Sequence, residues 1–205
     1  MKKLLLLLTL IGGGAATARA QNSIAAGTVA LGGSIGYDRS STETGLGGST
    51  ANVSESQFNF APAASYFVAD NLAIGLDLNL REQRPGNNRG LSVGPFVQYY
   101  KMFSEQFGLT GAFGAGYTLF DQSAVLGNQF FKFKSSGFYA GITPGIVFFP
   151  IPKFALNATI GRLGYSRVSV NDDDAPAGYE SSRSDFGARF GLNQLQLGGT
   201  FYFGR

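Results

Sequence analysis

Segments of about ten residues, in which apolar residues alternate with small or polar ones, recur eight times along this chain. In the clearest segment, apolar side chains occupy every second position from Leu72 to Leu80, and Ala, Gly, Asp and Asn lie between them. This alternation predicts β-strands with one apolar face. The predicted strands are 28–37, 57–68, 72–81, 91–102, 107–120, 136–149, 154–167 and 185–203.

The connections between these strands are alternately long and short. Residues 38–56, 82–90, 121–135 and 168–184 are long and polar, whereas turns are predicted at 69–71, around 104–106 and at 150–153. This arrangement is typical of membrane barrels, in which short periplasmic turns alternate with longer extracellular loops. Backbone in hydrocarbon must be hydrogen-bonded within a closed sheet. We therefore predict an all-β fold, an eight-stranded antiparallel up-and-down transmembrane β-barrel.

The first twenty residues have the features of an export signal. A basic start at Met1–Lys3 precedes an apolar run from Leu4 to Ile11, and Ala18-Arg19-Ala20 forms a small-x-small cleavage site. We expect a signal peptide at 1–20, cleavage between Ala20 and Gln21, and a barrel domain at 21–205. The expected location is the outer membrane of a Gram-negative bacterium, where the barrel contacts lipid.

An internal repeat ends three of the strands. Pro62, Pro95 and Pro144 each stand four residues before an aromatic pair that precedes a short turn. Each proline removes a ladder donor, so we expect a local bulge or a missing bond there. We predict that the pairs form a periplasmic aromatic girdle. Its members are Tyr66, Phe67, Tyr99, Tyr100, Phe148, Phe149, Phe201, Tyr202 and Phe203, with Phe103, Phe107 and Phe154.

Two strands lose their alternation, near Gly161–Arg162 and near Asn193–Gln194. One extra residue reverses the facing of all that follow it, so both sites are predicted β-bulges.

The faces opposite the apolar ones should line the lumen. The polar lumen candidates are Asp77, Asn79, Arg81 and Gln98, and the further inward residues are Asn59, Phe96, Tyr100, Thr110, Thr118, Tyr139, Thr143, Gln194 and Gln196. They could line a polar pore or form a packed, hydrogen-bonded plug. About eight strands leave an interior just wide enough for side chains, which favours the plug.

Little in the sequence indicates catalysis. The chain has no His, which removes the imidazole base that most enzymes of this membrane need. Asp172–Asp174 lacks calcium-loop spacing, and Gly111–Gly116 lacks the Lys-Ser/Thr of a phosphate loop. We predict no enzyme activity and no catalytic, metal or cofactor-binding site.

The net charge gives no sign of a nucleic-acid partner. The chain has 16 basic and 13 acidic residues, and three of the basic ones (Lys2, Lys3 and Arg19) belong to the leader. The two signs balance without it, so no nucleic acid is expected to bind.

The leader, the proline repeat, the segment from Tyr66 to Gly75 and the ending Gly198–Phe203 resemble OmpA/OmpX-type eight-stranded barrels. They look most like the outer membrane protein beta-barrel domain family common in the Bacteroidetes. The resemblance implies assembly by the Bam machinery, which reads a last strand ending in an aromatic, here Phe201, Tyr202 and Phe203. We expect a monomer.

Two functional classes remain open. The first is a structural or surface-interaction role in envelope integrity, adhesion or partner binding through the loops. The second is a narrow channel or small-ligand carrier. The surface ligand is not identified by the sequence.

Overall fold

The computed structural model describes residues 23–46, 49–85, 88–126, 129–170 and 182–205. The strands are β1 (Val29–Leu46), β2 (Ser49–Ala69), β3 (Leu72–Arg84), β4 (Asn88–Met102), β5 (Phe107–Leu126), β6 (Gln129–Ile151), β7 (Phe154–Ile160), β8 (Arg162–Val170), β9 (Ser182–Arg189) and β10 (Leu195–Phe203). Among the described residues, no helix is both long and apolar enough to cross a membrane.

The strands form a closed eight-stranded antiparallel barrel, as the alternation predicted. Strands β7 and β8 are two halves of the seventh barrel strand, and β9 and β10 are two halves of the eighth. Strand β1 pairs with β10 from Val29↔Phe203 to Ile35↔Leu197, which closes the sheet. The end that carries the short turns and both ends of the described chain is called the terminal end, and the opposite one the hairpin end.

The predicted faces are confirmed along the strands. In β3, Ile74, Leu76 and Leu78 point outward, and Leu76 is 61% exposed, whereas Ala73 points inward and is fully buried. Large apolar side chains cover the outside of the other strands in the same way. An apolar outside and a small or polar inside is the reverse of a water-soluble barrel and suits hydrocarbon.

The long connections are shorter than predicted, because the strands continue past the outward apolar side chains. We call the ring of these side chains around the barrel the apolar belt. The β1–β2 ladder reaches Leu46↔Ser49, the β3–β4 ladder reaches Gln83↔Asn88, and the β5–β6 ladder reaches Leu126↔Gln129. Three of the four predicted loops are therefore tall β-hairpins. The fourth, including Asp172–Asp174, lies largely outside the described residues.

Both predicted irregularities are present, but the one near Asn193–Gln194 is larger than the predicted one-residue bulge. Gly161 has a φ of +72°, and the register with β6 shifts by one residue across it. In the ladder with the eighth barrel strand, pairing passes from Ile160↔Leu195 to Arg162↔Arg189. Gly161 therefore lies opposite the whole segment 190–194, which includes the 3₁₀ turn Leu192–Gln194. A left-handed φ is accessible to glycine at no steric cost, which explains the residue found there.

The proline sites interrupt one ladder each. Pairing of β2 with β3 passes from Phe60↔Leu80 to Ala63↔Asp77, and pairing of β4 with β5 passes from Val93↔Tyr117 to Phe96↔Gly114. Pro62 and Pro95 lie in these gaps, where a residue without an N–H costs no ladder bond.

The barrel is not paired over its whole height. Along the described parts of the chain, β9 pairs with β8, and β1 beyond Ile35 pairs with β2. Strand β9 is therefore an edge of the sheet. We call the space between β9 and the outer part of β1 (residues 36–46) the seam.

Candidate functional site

The aromatic residues at the ends of β2, β4, β6 and β10 do not form one girdle, and that prediction is wrong for the four of the nine that point inward. Successive residues of a strand face opposite sides, so each pair splits. Tyr66, Tyr99, Phe148, Phe201 and Phe203 are exposed on the outside. Phe67, Tyr100, Phe149 and Tyr202 point inward and are at most 3% exposed. We call these four inward residues the aromatic plug.

The aromatic plug is packed across the lumen. The ring centroids of Phe67 and Tyr100 are 5.3 Å apart, and those of Phe149 and Tyr202 are 5.0 Å apart. Phe67 also lies 6.1 Å from Tyr202, and the Tyr202 hydroxyl donates to the Tyr100 hydroxyl at 3.3 Å. Tilted aromatic pairs at these separations are favourable. Strands β2, β4, β6 and β10 are thereby joined through the centre of the terminal end.

The chain before β1 covers the plug from below. Ile24 is fully buried, its N–H donates to Asn71 Oδ1 at 2.9 Å, and its carbonyl accepts from Asn71 N–H at 2.9 Å. The Ala26 N–H donates to Asp70 Oδ1 at 3.0 Å. Phe67 extends this contact, because its N–H donates to the Thr28 carbonyl and its own carbonyl accepts from Gly27 N–H.

Arg205 covers the plug at the same terminal end, beside Phe149. Its guanidinium carbon lies 3.6 Å from the Phe149 ring centroid, and its nitrogens donate to the carbonyls of Pro152 and Glu105 at 3.4 and 3.2 Å. Burial lowers the pKa of Arg205 from its ordinary value. The terminal end is therefore closed by ring packing and by chain segments hydrogen-bonded over it.

The polar lumen candidates lie on the inward face above the plug. Asp77, Asn79 and Gln98 are half-buried, and Gln98 accepts a hydrogen bond from Tyr100 at 3.2 Å. Arg81 donates through Nε to Asn59 Oδ1 at 3.1 Å. Gln194 was expected in the same row, but it lies in the 3₁₀ turn and is exposed, so that prediction is wrong.

The remaining inward polar residues pair across strands. Ser92 and Thr118 share a hydrogen bond of 2.7 Å, Asn157 donates to Thr200 at 2.7 Å, and Ser34 donates to Gln196 at 3.2 Å. These pairs satisfy inward polar groups along the barrel, as expected if the lumen is packed and hydrogen-bonded and not an open polar pore.

Two arginines that were not among the predicted lumen residues, Arg162 and Arg189, also point inward. The Arg162 guanidinium lies 5.4 Å from the ring centroid of the inward Tyr139, and Arg189 is its direct cross-strand partner. Arg162 directly follows Gly161, and Arg189 lies opposite Arg162. One extra residue at Gly161 reverses the alternation of inward and outward side chains. Counting positions onward from that bulge would have placed Arg162 inside.

A cavity of about 890 Å³ lies toward the hairpin end. Its lining comes from β2 to β6 and combines the inward-facing Arg81, Phe120 and Ser135 with apolar residues of the outer face, among them Phe58, Leu80 and Leu119. The lumen itself is closed at the terminal end by the aromatic plug. The predicted cleavage residues, Ala20 and Gln21, lie outside the described residues.

No family profile matches the chain, and no curated protein matches it in sequence. Among solved structures, the outer membrane protein OprG from Pseudomonas aeruginosa is similar, with a TM-score of 0.51 and 16% identity over 89% of this chain and 99% of that one. Neisserial surface protein A, NspA, gives a TM-score of 0.47 and 17% identity over 87% and 98% of the two chains. The N-terminal β-barrel domain of Pseudomonas aeruginosa OprF gives 0.45 and 12% over 88% and 100%. At 16% identity the likeness to OprG shows the fold alone, that of an outer membrane β-barrel.

Proposed function

We propose that this protein is an outer membrane barrel with a structural or surface-interaction role, exported by a cleaved signal peptide and without enzyme activity. The observation that carries the proposal is the aromatic plug, whose four residues are at most 3% exposed and pack across the terminal end. A lumen blocked in this way offers no through path for solute. The tall hairpins then provide the surface available for contact with partners.

The outward aromatic residues at the terminal end support two proposed partners, membrane lipid and the Bam machinery. Outward Tyr66, Tyr99 and Phe148 surround the terminal end at the level expected for a lipid interface. Phe201 and Phe203 also face outward, which leaves the end of β10 available to the Bam machinery during assembly. No nucleic-acid partner and no second copy of the chain are part of the proposal.

Single-channel conductance of the refolded protein in planar bilayers tests the proposal. We expect the parent to show no steady open level. Replacing Phe67 and Tyr202 together with Ala removes two rings of the aromatic plug and should produce one, provided that the variant still shows a heat-modifiable barrel on electrophoresis. The matched control replaces the outward Tyr66 and Phe201 with Ala and should stay silent. A large, steady conductance in the parent would overturn the proposal and favour a channel.

A shortened hairpin tests the surface role. Ser41 and Ser54 are direct cross-strand partners whose hydroxyls lie 2.9 Å apart. Joining them through an Asn-Gly turn removes residues 42–53 and keeps the ladder below intact. Loss of cell-surface adhesion with an unchanged melting temperature supports a hairpin role, and unchanged adhesion contradicts it.

A second candidate is a small-ligand carrier that loads from the hairpin end. The largely apolar cavity of about 890 Å³ toward the hairpin end is the observation that favours it. Such a carrier would hold a ligand without conducting it.

A further inference from the structure

Two arginines occupy a position that a barrel without a counter-ion would disfavour. Arg162 and Arg189 are direct partners in the β8–β9 ladder, so their side chains leave the sheet on the same face. Like charges directly opposite each other destabilise a sheet. That face is the inner one, because Arg162 Cγ and Cδ lie 3.1 Å from where a Cβ of the inward Gly141 would stand.

A third arginine adds to this charge from the other side of the lumen. Arg81 points inward from β3, is held by its hydrogen bond to Asn59, and interacts electrostatically with both Arg162 and Arg189. Asp77 lies on the same inward face and interacts with Arg162, and Asp185, the ion-pair partner of Arg183, interacts with Arg189. Four guanidiniums, counting that of Arg183, therefore share this part of the barrel with two carboxylates.

The two carboxylates do not balance the charge of the arginines. Arg84–Glu82 and Arg183–Asp185 form ion pairs near the exposed hairpin end, and the second pair uses the Asp185 carboxylate for Arg183. Arg162 is instead placed against the Tyr139 ring, and Arg81 against an amide. Both arrangements orient a guanidinium while leaving donors available for an anion.

Access to these residues exists from one side only. Arg81, Arg162 and Arg189 are all exposed, while the aromatic plug closes the terminal end. An anion entering from the hairpin side meets the arginines before it meets the plug.

We propose that Arg81, Arg162 and Arg189 form an anion-binding site inside the barrel for a multivalent oxyanion of phosphate chemistry. Guanidinium groups match phosphate oxygens with paired, charge-assisted hydrogen bonds. The phosphate is either free in solution or part of a lipid headgroup. This site is independent of the proposed surface role, since it lies in the lumen and not on the hairpins.

Calorimetric titration with pyrophosphate tests the site on the full, refolded protein in zwitterionic detergent at low salt. We expect saturable binding of one anion per barrel. Arg162→Gln and Arg189→Gln should each weaken it at least about tenfold, because each removes a charge-assisted hydrogen bond. Arg84→Gln, which changes an exposed arginine already paired with Glu82, is the matched control and should bind as the parent does.

A melting experiment separates a site from a merely structural cluster. Without anion, the double variant Arg162→Gln/Arg189→Gln should melt at a higher temperature than the parent, because the like-charge contact is relieved. Pyrophosphate should raise the melting temperature of the parent and not that of the double variant. A parent that binds no anion, or an Arg84→Gln loss equal to that of Arg162→Gln, overturns the proposal.

The source of the phosphate is decided by a second titration. Micelles containing phosphatidylglycerol replace pyrophosphate under the same conditions. Stabilisation by pyrophosphate alone identifies a soluble phosphate, and stabilisation by the lipid alone identifies a headgroup. Stabilisation of the parent and the double variant alike by both probes contradicts the site.

Discussion

The outward position of Leu76 gives the most direct test of which face meets lipid. Leu76 lies in the middle of β3, is 61% exposed, and is flanked outward by Ile74 and Leu78. Leu76→Arg should lower the free energy of unfolding by about 2–4 kcal/mol if this position lies near the bilayer midplane. Asn79→Ala, on the inward face of the same strand, is the control and should cost less. Chemical unfolding of both variants in vesicles measures the difference, and a larger loss for Asn79→Ala would reverse the faces.

Two glycines of neighbouring strands test how tightly the lumen is packed. A Cβ on the inward Gly94 would overlap the backbone carbonyl oxygen of Ala115 and lie 2.7 Å from the Tyr139 hydroxyl, whereas a Cβ on Gly111 would meet nothing within 4 Å. Gly94→Ala should therefore destabilise the barrel by about 1–3 kcal/mol through overpacking. Gly111→Ala should not. Unfolding midpoints of the two variants decide this, and equal midpoints would mean that the lumen accommodates the added methyl group.

The turn between β2 and β3 should control how firmly the preceding chain is held against the plug. Asn71 has a φ of +63°, and its side chain accepts the Ile24 N–H. Asn71→Gly keeps the left-handed conformation but loses this acceptor, so it should cost about 1 kcal/mol. Asn71→Ala loses the acceptor and adds strain, so it should cost more. Thermal unfolding ranks the two, and a smaller loss for Ala would show that the backbone conformation is not what selects Asn here.

Most of the element layout was accessible from the sequence, for a physical reason. Inside the apolar belt, hydrocarbon on one side and a packed lumen on the other impose a strict two-residue period, which located all eight barrel strands. Beyond the belt, water contacts both faces, so the hairpin at 38–56 shows no alternation and was read as a loop.

The candidate site was less predictable than the strands. Treating each aromatic pair as one unit hid the inward Phe67 and Tyr202, although alternation along the same strands, from the inward Asn59 and the outward Phe201, requires them to face inside. Arg162 was hidden by the bulge at Gly161, since a single inserted residue reverses every later assignment. The cavity and the closed terminal end depend on how strands far apart in sequence meet, which the local pattern does not contain.

At the scale of the whole molecule, the apolar belt and the seam lie at different heights along the barrel axis. An outward apolar band of about 25 Å requires roughly ten residues of tilted strand. Counted from Val29, such a band ends near Asp38, whereas β1 continues to Leu46. The seam begins beyond Ile35, where pairing with β10 stops. Most of its unpaired backbone therefore lies outside hydrocarbon, where water satisfies the N–H and C=O groups.

The seam divides β1 into two parts that exchange their amide hydrogens on different timescales. Every amide from Ala30 to Ile35 lies between two partner strands, whereas β1 beyond Ile35 is paired on the β2 side. Successive amides of a strand point to opposite edges, so every second amide of 36–46 should exchange within the time of local opening. The amides of 30–35 should exchange only when the barrel unfolds. Uniform protection along β1 would show that the seam closes in solution.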